Sequence, residues 1–173
     1  MANTTFDGPV RSKNGFINIG PGMTKSLSAD TVLTVQEHAG RILLLNDADG
    51  KFTLPAINTN ADSAVAGPGS DPNNLNNIGA SFYFYIETAA TDLDIKTDGT
   101  DKFTGAVMLA VDDGAKKAFV PAAANDVMTF DGGTAGGLAG SVVQVTAVDT
   151  NNYLVHNSLV IATGTIVTPF ANA

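Results

Sequence analysis

The apolar residues of this chain fall in short runs, each closed by Gly, Pro, Asn or Asp, and no run continues long enough to build a helix. The most telling stretch is Arg41 to Ile57, RILLLNDADGKFTLPAI. An apolar run, Ile42 to Leu45, meets the polar break Asn46-Asp47-Ala48-Asp49-Gly50, and Phe52-Thr53-Leu54 follows until Pro55 stops it. Proline has no amide hydrogen for a ladder, and glycine supplies the positive φ of a tight reversal, so the pattern predicts a β-hairpin.

Most of the chain repeats that grammar. Phe16 to Ile19 reads as a short strand broken by Gly20-Pro21-Gly22, and Ser28 to Val35, rich in β-branched Thr and Val, reads as the next. In Ser81 to Glu87, Phe82, Phe84 and Ile86 share one face and Tyr83 and Tyr85 the other. A strand apolar on both faces is expected at the centre of a sheet, or covered on its second face by another subunit. Asp92 to Thr97 alternates Leu93 and Ile95 with polar residues, the half-solvated pattern. Further strands are expected at Phe103 to Val111, Ala118 to Val120, Val127 to Phe130 and Gly164 to Thr168. Ser141 to Val148 and Asn152 to Ile161 should pair as a hairpin across Asp149-Thr150-Asn151. Asn58 to Asn77 is a long surface loop, and Gly132 to Gly140 a glycine-rich one, free to flex or to let backbones approach closely. The expected architecture is all-β: a compact sandwich or barrel-like antiparallel module.

At 173 residues, 44% hydrophobic and 15% charged, the chain suits one domain spanning residues 15–173 with a real core. Met1 to Asn14 is polar, offers only Phe6 and Val10 as apolar anchors, and is expected to form an extended N-terminal arm that docks on a partner. A net charge of −8 repels phosphate backbones, and the nine Lys and Arg are scattered, so nucleic acid and anionic membrane are poor partners. The absence of cysteine excludes disulfides, thiolate zinc sites and a cysteine nucleophile. No stretch resembles a secretory leader or reaches the about eighteen apolar residues of a membrane helix, so a soluble product is expected.

Chemistry is thin. Gly20 to Ser26 invites a phosphate-loop reading, but Thr24 stands where glycine must precede the lysine. Asn46 to Gly50 resembles part of a calcium loop, yet the first and last ligand positions would fall on Leu45 and Ala56, which cannot coordinate. His38 and His156 have no Gly-x-Ser-x-Gly elbow to serve, and Asp92 with Asp94 reads as edge decoration rather than an acid/base pair. No catalytic, metal or cofactor site is expected. The aromatics Phe82 to Tyr85 could stack on sugar rings, but packing within the core and between subunits is the preferred reading.

The opening MANTTFDGPVRSKNGF resembles the start of virion structural proteins of tailed bacteriophages. The order Arg41-Ile42-Leu43-Leu44-Leu45-Asn46, a small turn and Phe52-Thr53-Leu54-Pro55-Ala56 resembles a recurrent pattern of phage head-associated proteins. There too an aromatic strand follows, here Phe82 to Ile86, and then a segment matching Ile95 to Gly105. The resemblance implies a capsid decoration (cement) protein on the exterior of the head, made in the host cytoplasm. Such a protein is commonly a homotrimer that binds the major capsid protein through a terminal arm. Phe6, Pro9, Val10 and Arg11 are then the expected capsid-binding residues, with Tyr83 and Tyr85 at the subunit interface. A tail-fibre or head-fibre module that binds the host surface is the second reading, and a carbohydrate-binding or hydrolytic β domain the third.

Overall fold

The structure is a computed structural model that describes residues 19–59, 76–112 and 114–173. The expected arm, with Phe6, Pro9, Val10 and Arg11, the strand at 16–18 and most of the 58–77 loop lie outside the described residues. A single 3-10 turn, Pro21–Met23, leads into β1 (Thr24–Leu27), β2 (Thr31–Val32) and the one-turn helix α1 (Val35–His38). Then come β3 (Ile42–Leu45), β4 (Lys51–Thr53), β5 (Ser81–Ile86), β6 (Leu93–Lys96), β7 (Lys102–Gly105) and β8 (Val107–Val111). The chain continues with β9 (Lys116–Phe119), β10 (Val127–Phe130), β11 (Val142–Ala147), β12 (Asn152–Ala162) and β13 (Phe170–Ala171).

These strands form an all-β sandwich. The larger sheet runs β1-β3-β5-β11-β12-β8-β9, with β7 also paired to β12, and the smaller runs β13-β10-β6-β4-β2. One apolar core lies between them. Leu43, Leu45, Phe82, Phe84, Val143 and Val145 enter it from the larger sheet, and Phe52, Leu93, Ile95, Met128 and Phe130 from the smaller. The period-two burial of Ser81–Ile86 places Phe82, Phe84 and Ile86 inside and Tyr83 and Tyr85 outside, as the sequence pattern requires. β5 is indeed central, between β3 and β11.

The sheets are mixed rather than antiparallel throughout. From β1 to β6 the chain changes sheet after every strand. Each return therefore runs the same way as the strand it joins, so β1, β3 and β5 are mutually parallel, as are β2, β4 and β6. β7 and β8 also pair in parallel with β12. The hairpin expected at Arg41–Ile57 is consequently not a hairpin: β3 belongs to the larger sheet and β4 to the smaller. The carbonyls of the polar break between them serve the other sheet, Ala48 accepting from Thr91 and Gly50 from Asp94. Nor does Gly50 adopt positive φ; glycine is required there because a Cβ would sit 2.8 Å from the Phe52 ring.

Three further expectations shift. Ser28 to Val35 is not one strand, because Thr34 caps α1 by accepting from the Glu37 amide at 3.3 Å. Phe103 to Val111 divides into β7 and β8 where Gly105 takes φ +89°, and the carbonyl of Val155 lies 2.1 Å from the position of a Cβ. Ser158 mends the break by accepting from the Met108 amide and donating to Ala106 O. The last strand is not Gly164–Thr168 but β13, which seats Phe170 6.3 Å from Phe103, ring centre to ring centre. The β11–β12 hairpin forms as expected, closed by the Val148 amide on Asn152 O.

Candidate interaction surface

The outward face of the larger sheet carries two rows that cross five of its strands. Thr24, Ile42, Tyr83, Gln144 and His156 stand in register across β1, β3, β5, β11 and β12. Ser26, Leu44, Tyr85, Val142 and Leu159 form the second row across the same strands. Neither row contains an Asp, Glu, Lys or Arg side chain. Tyr83 is 40% exposed, Ile42 46% and Leu159 51%, so apolar surface is left open to water here. Between Ile42, Tyr83, Tyr85 and Val142 lies a hollow of about 360 Å³, with Gln144 and Asn157 at its border.

Polar groups on this face satisfy one another sideways. Asn157 Nδ2 donates to Gln144 Oε1 at 2.7 Å, and Thr146 Oγ1 joins Ser81 Oγ at 2.7 Å and His156 Nε2 at 2.9 Å. The register between β11 and β12 slips beside Val142 and Gln144. Asn157 lies in that slip with φ +44°, a left-handed conformation asparagine tolerates better than most side chains. The extra residue keeps both ends of β12 in their rows while turning the Asn157 amide toward Gln144.

The outward face of the smaller sheet differs: Lys51, Asp94 and Lys96 occupy it, and Asp94 accepts from Thr129 Oγ1 at 2.7 Å. Asp94 is the one acidic residue within a strand among the described residues; the other described carboxylates sit in turns, connections or α1. Period-two alternation forecast that Tyr83 and Tyr85 share a face. It could not forecast which strands would stand beside them, so Ile42, Val142, Leu159 and Asn157 join the surface only through the sheet order.

The remaining candidates resolve into structural roles. Gly20 to Ser26 is a 3-10 turn and a strand, and Lys25 pairs with Glu37 at 2.5 Å. Among the described residues no three His or carboxylate side chains gather as metal ligands would. Asp92 is exposed while Asp94 is bound to Thr129, so the two do not act on one another. His38 is buried; its Nδ1 accepts from the Thr34 amide at 2.9 Å, and its Nε2 has no hydrogen-bond partner. Burial first, then Lys25, holds its pKa below the ordinary 6.5. Asp101 accepts from the Ile57 amide at 2.8 Å, and burial raises its carboxyl above the usual range. The glycine-rich 132–140 loop is packed rather than loose: Asp131 accepts from the amides of Gly133 and Ala135, and a Cβ at Gly132 would meet Ala90 O at 2.2 Å. No described helix is long and apolar enough to cross a membrane.

The fold and this surface define an all-β sandwich whose larger sheet has a charge-poor outward face across β1, β3, β5, β11 and β12. Comparison with protein-family models, curated proteins and solved structures returned no match.

Proposed function

We propose that the protein is a decoration (cement) protein of a tailed-bacteriophage capsid. It binds the outer surface of the head, holds neighbouring major capsid protein subunits together, and acts by binding rather than by turnover. Copies assemble as a homotrimer, and the N-terminal segment carrying Phe6, Pro9, Val10 and Arg11 reaches the coat. The likeness of the opening and of the Arg41–Ala56 stretch to phage head proteins points to this class. The observation that supports it in the fold is the open, charge-poor face centred on Tyr83 and Tyr85, a surface suited to burial against protein. Small apolar contacts, at about 25 cal/mol per Å² buried, become strong when a lattice repeats them.

The test is co-sedimentation with expanded capsids of the phage that encodes the chain. The full chain should pellet with the shells, and deletion of Met1 to Asn14 should weaken that association. A chain that stays in the supernatant, or that attaches to host cells with or without its first fourteen residues, overturns the proposal.

A further inference from the structure

We propose that His38 is a proton-operated latch: the neutral ring holds the one-turn helix α1 against the sandwich, and a protonated ring opens that corner while both sheets stay folded. His38 is 3% exposed and is the one buried residue of α1. Its Nδ1 accepts from the Thr34 amide at 2.9 Å, which puts the proton of the neutral ring on Nε2. Nε2 is itself buried, with no hydrogen-bond partner among the described residues. A second proton must therefore enter at Nδ1, where the Thr34 amide already points. The acceptors within its reach, Thr34 O at 3.2 Å and Thr34 Oγ1 at 3.3 Å, already serve the amides of His38 and Glu37. A buried cation whose ring donors find no free acceptor is costly, and exposure to water removes that cost. The charges around the ring point the same way. Lys25 of β1 and Arg41 beyond α1 oppose a positive ring, while Glu37, which favours one, is already paired with Lys25.

Opening is confined because the chain is pinned on both sides of α1. The Leu33 amide donates to Thr53 O at 2.8 Å in the smaller sheet, and the Gly40 amide donates to Ser81 O at 2.7 Å in the larger. Only residues 34–39 lie between these pins. The helix itself spans four residues, a length without stability of its own. It is closed by the His38 amide on Thr34 O and the Ala39 amide on Val35 O. Once the ring leaves, no other residue of α1 is buried to hold the turn. Loss of the turn also separates Glu37 from Lys25, the ion pair that joins α1 to β1. β1 is an edge strand bonded to β3 alone, so it loosens next, whereas β5 and β11 keep a strand on each side. A histidine that only fills space would produce no such division between corner and sheets.

The experiment is amide hydrogen exchange of the full chain, resolved by NMR from about pH 7.5 to about pH 5, with each rate corrected for the intrinsic effect of pH. Protection at His38 and Ala39 should fall about tenfold for each pH unit below the ordinary 6.5, until the lower folded value is reached. The amides of β1 should follow, while those of β5 and β11 stay protected. His38→Gln, and His38→Phe as a ring that fills the site without titrating, should each lose this dependence on pH. Protection at His38 and Ala39 that does not change with pH overturns the proposal, and that arm needs no variant. So does the parent's slope persisting in both variants, which assigns the proton to another group. Loss of protection in β5 and β11 in step with α1 overturns it too, because the whole fold then opens rather than the corner. None of these outcomes depends on capsid binding, so the decoration reading stands or falls separately.

Discussion

The hydroxyl of Tyr153 donates to the carbonyl oxygen of Pro55 at 2.6 Å, tying β12 of the larger sheet to the end of β4 in the smaller one. Both residues are buried, and Tyr153 has no exposed surface at all. Burial, with Asp101 and Asp98 nearby, pushes the phenol's ionisation well above its ordinary value. Pro55 both ends β4 and leaves its carbonyl pointing at a donor from the other sheet.

Tyr153→Phe should keep the fold and lose stability. It strands a buried carbonyl, which costs about 1–3 kcal/mol. For a chain of this size each kcal/mol corresponds to roughly 2–4 °C in melting temperature. Thermal denaturation followed by circular dichroism would read the loss, and an unchanged midpoint would show that the bond contributes nothing.

Gly105→Ala should be worse. Positive φ disfavours any L side chain by about 1–2 kcal/mol, and the new Cβ would collide with Val155 O, a backbone atom held in the β7–β12 ladder. The expected loss exceeds about 2 kcal/mol in urea unfolding. A loss below that would mean that the β7–β8 break is soft.

Acid should weaken the protein in two windows. His38 has a folded pKa below 6.5, so the unfolded chain binds more protons as pH falls beneath that value, and stability drops until the lower folded pKa is passed. Protonated Nδ1 could no longer accept from Thr34, and the charge would add to Lys25 and Arg41 against Glu37 alone. His38→Gln should flatten the dependence between pH 6.5 and the folded value. The second window lies below 3.8. At Asp126 the burial that raises the pKa is outweighed by Lys102 and the Ala173 amide; at Asp131 it is outweighed by Gly133, Thr134 and Ala135. Their stabilisation is present above 3.8 and disappears as pH falls through the depressed folded values. Urea midpoints across pH would show one step removed by His38→Gln and the other retained.

Asp131→Ala should loosen the glycine-rich loop without unfolding the sandwich. The carboxylate holds the Gly133 and Ala135 amides at 2.8 Å and the Thr134 hydroxyl at 2.9 Å. Losing them should cost about 1–2 kcal/mol. Hydrogen exchange should accelerate at Gly133 and Ala135 while the amides of β5 and β11 stay protected.

Alternation along Ser81–Ile86 determined which side chains share a face, and with the similar pattern at Leu93–Ile95 it determined that the chain is all-β. Turn residues marked the β11–β12 reversal, where a short break leaves a strand no partner but its neighbour. The short helix was not foreseen: Thr34-Val35-Gln36-Glu37 carries the spacing of a capped first turn, but the β-branched Thr and Val residues around it favoured a strand. Side chains point perpendicular to a sheet and report burial, whereas the amides and carbonyls that choose a neighbour point within its plane and carry no residue-specific pattern. Only the tertiary structure therefore decided that β3 and β4 part into different sheets, that β1, β3 and β5 lie parallel, and that Ile42, Tyr83 and Val142 meet on one charge-poor face.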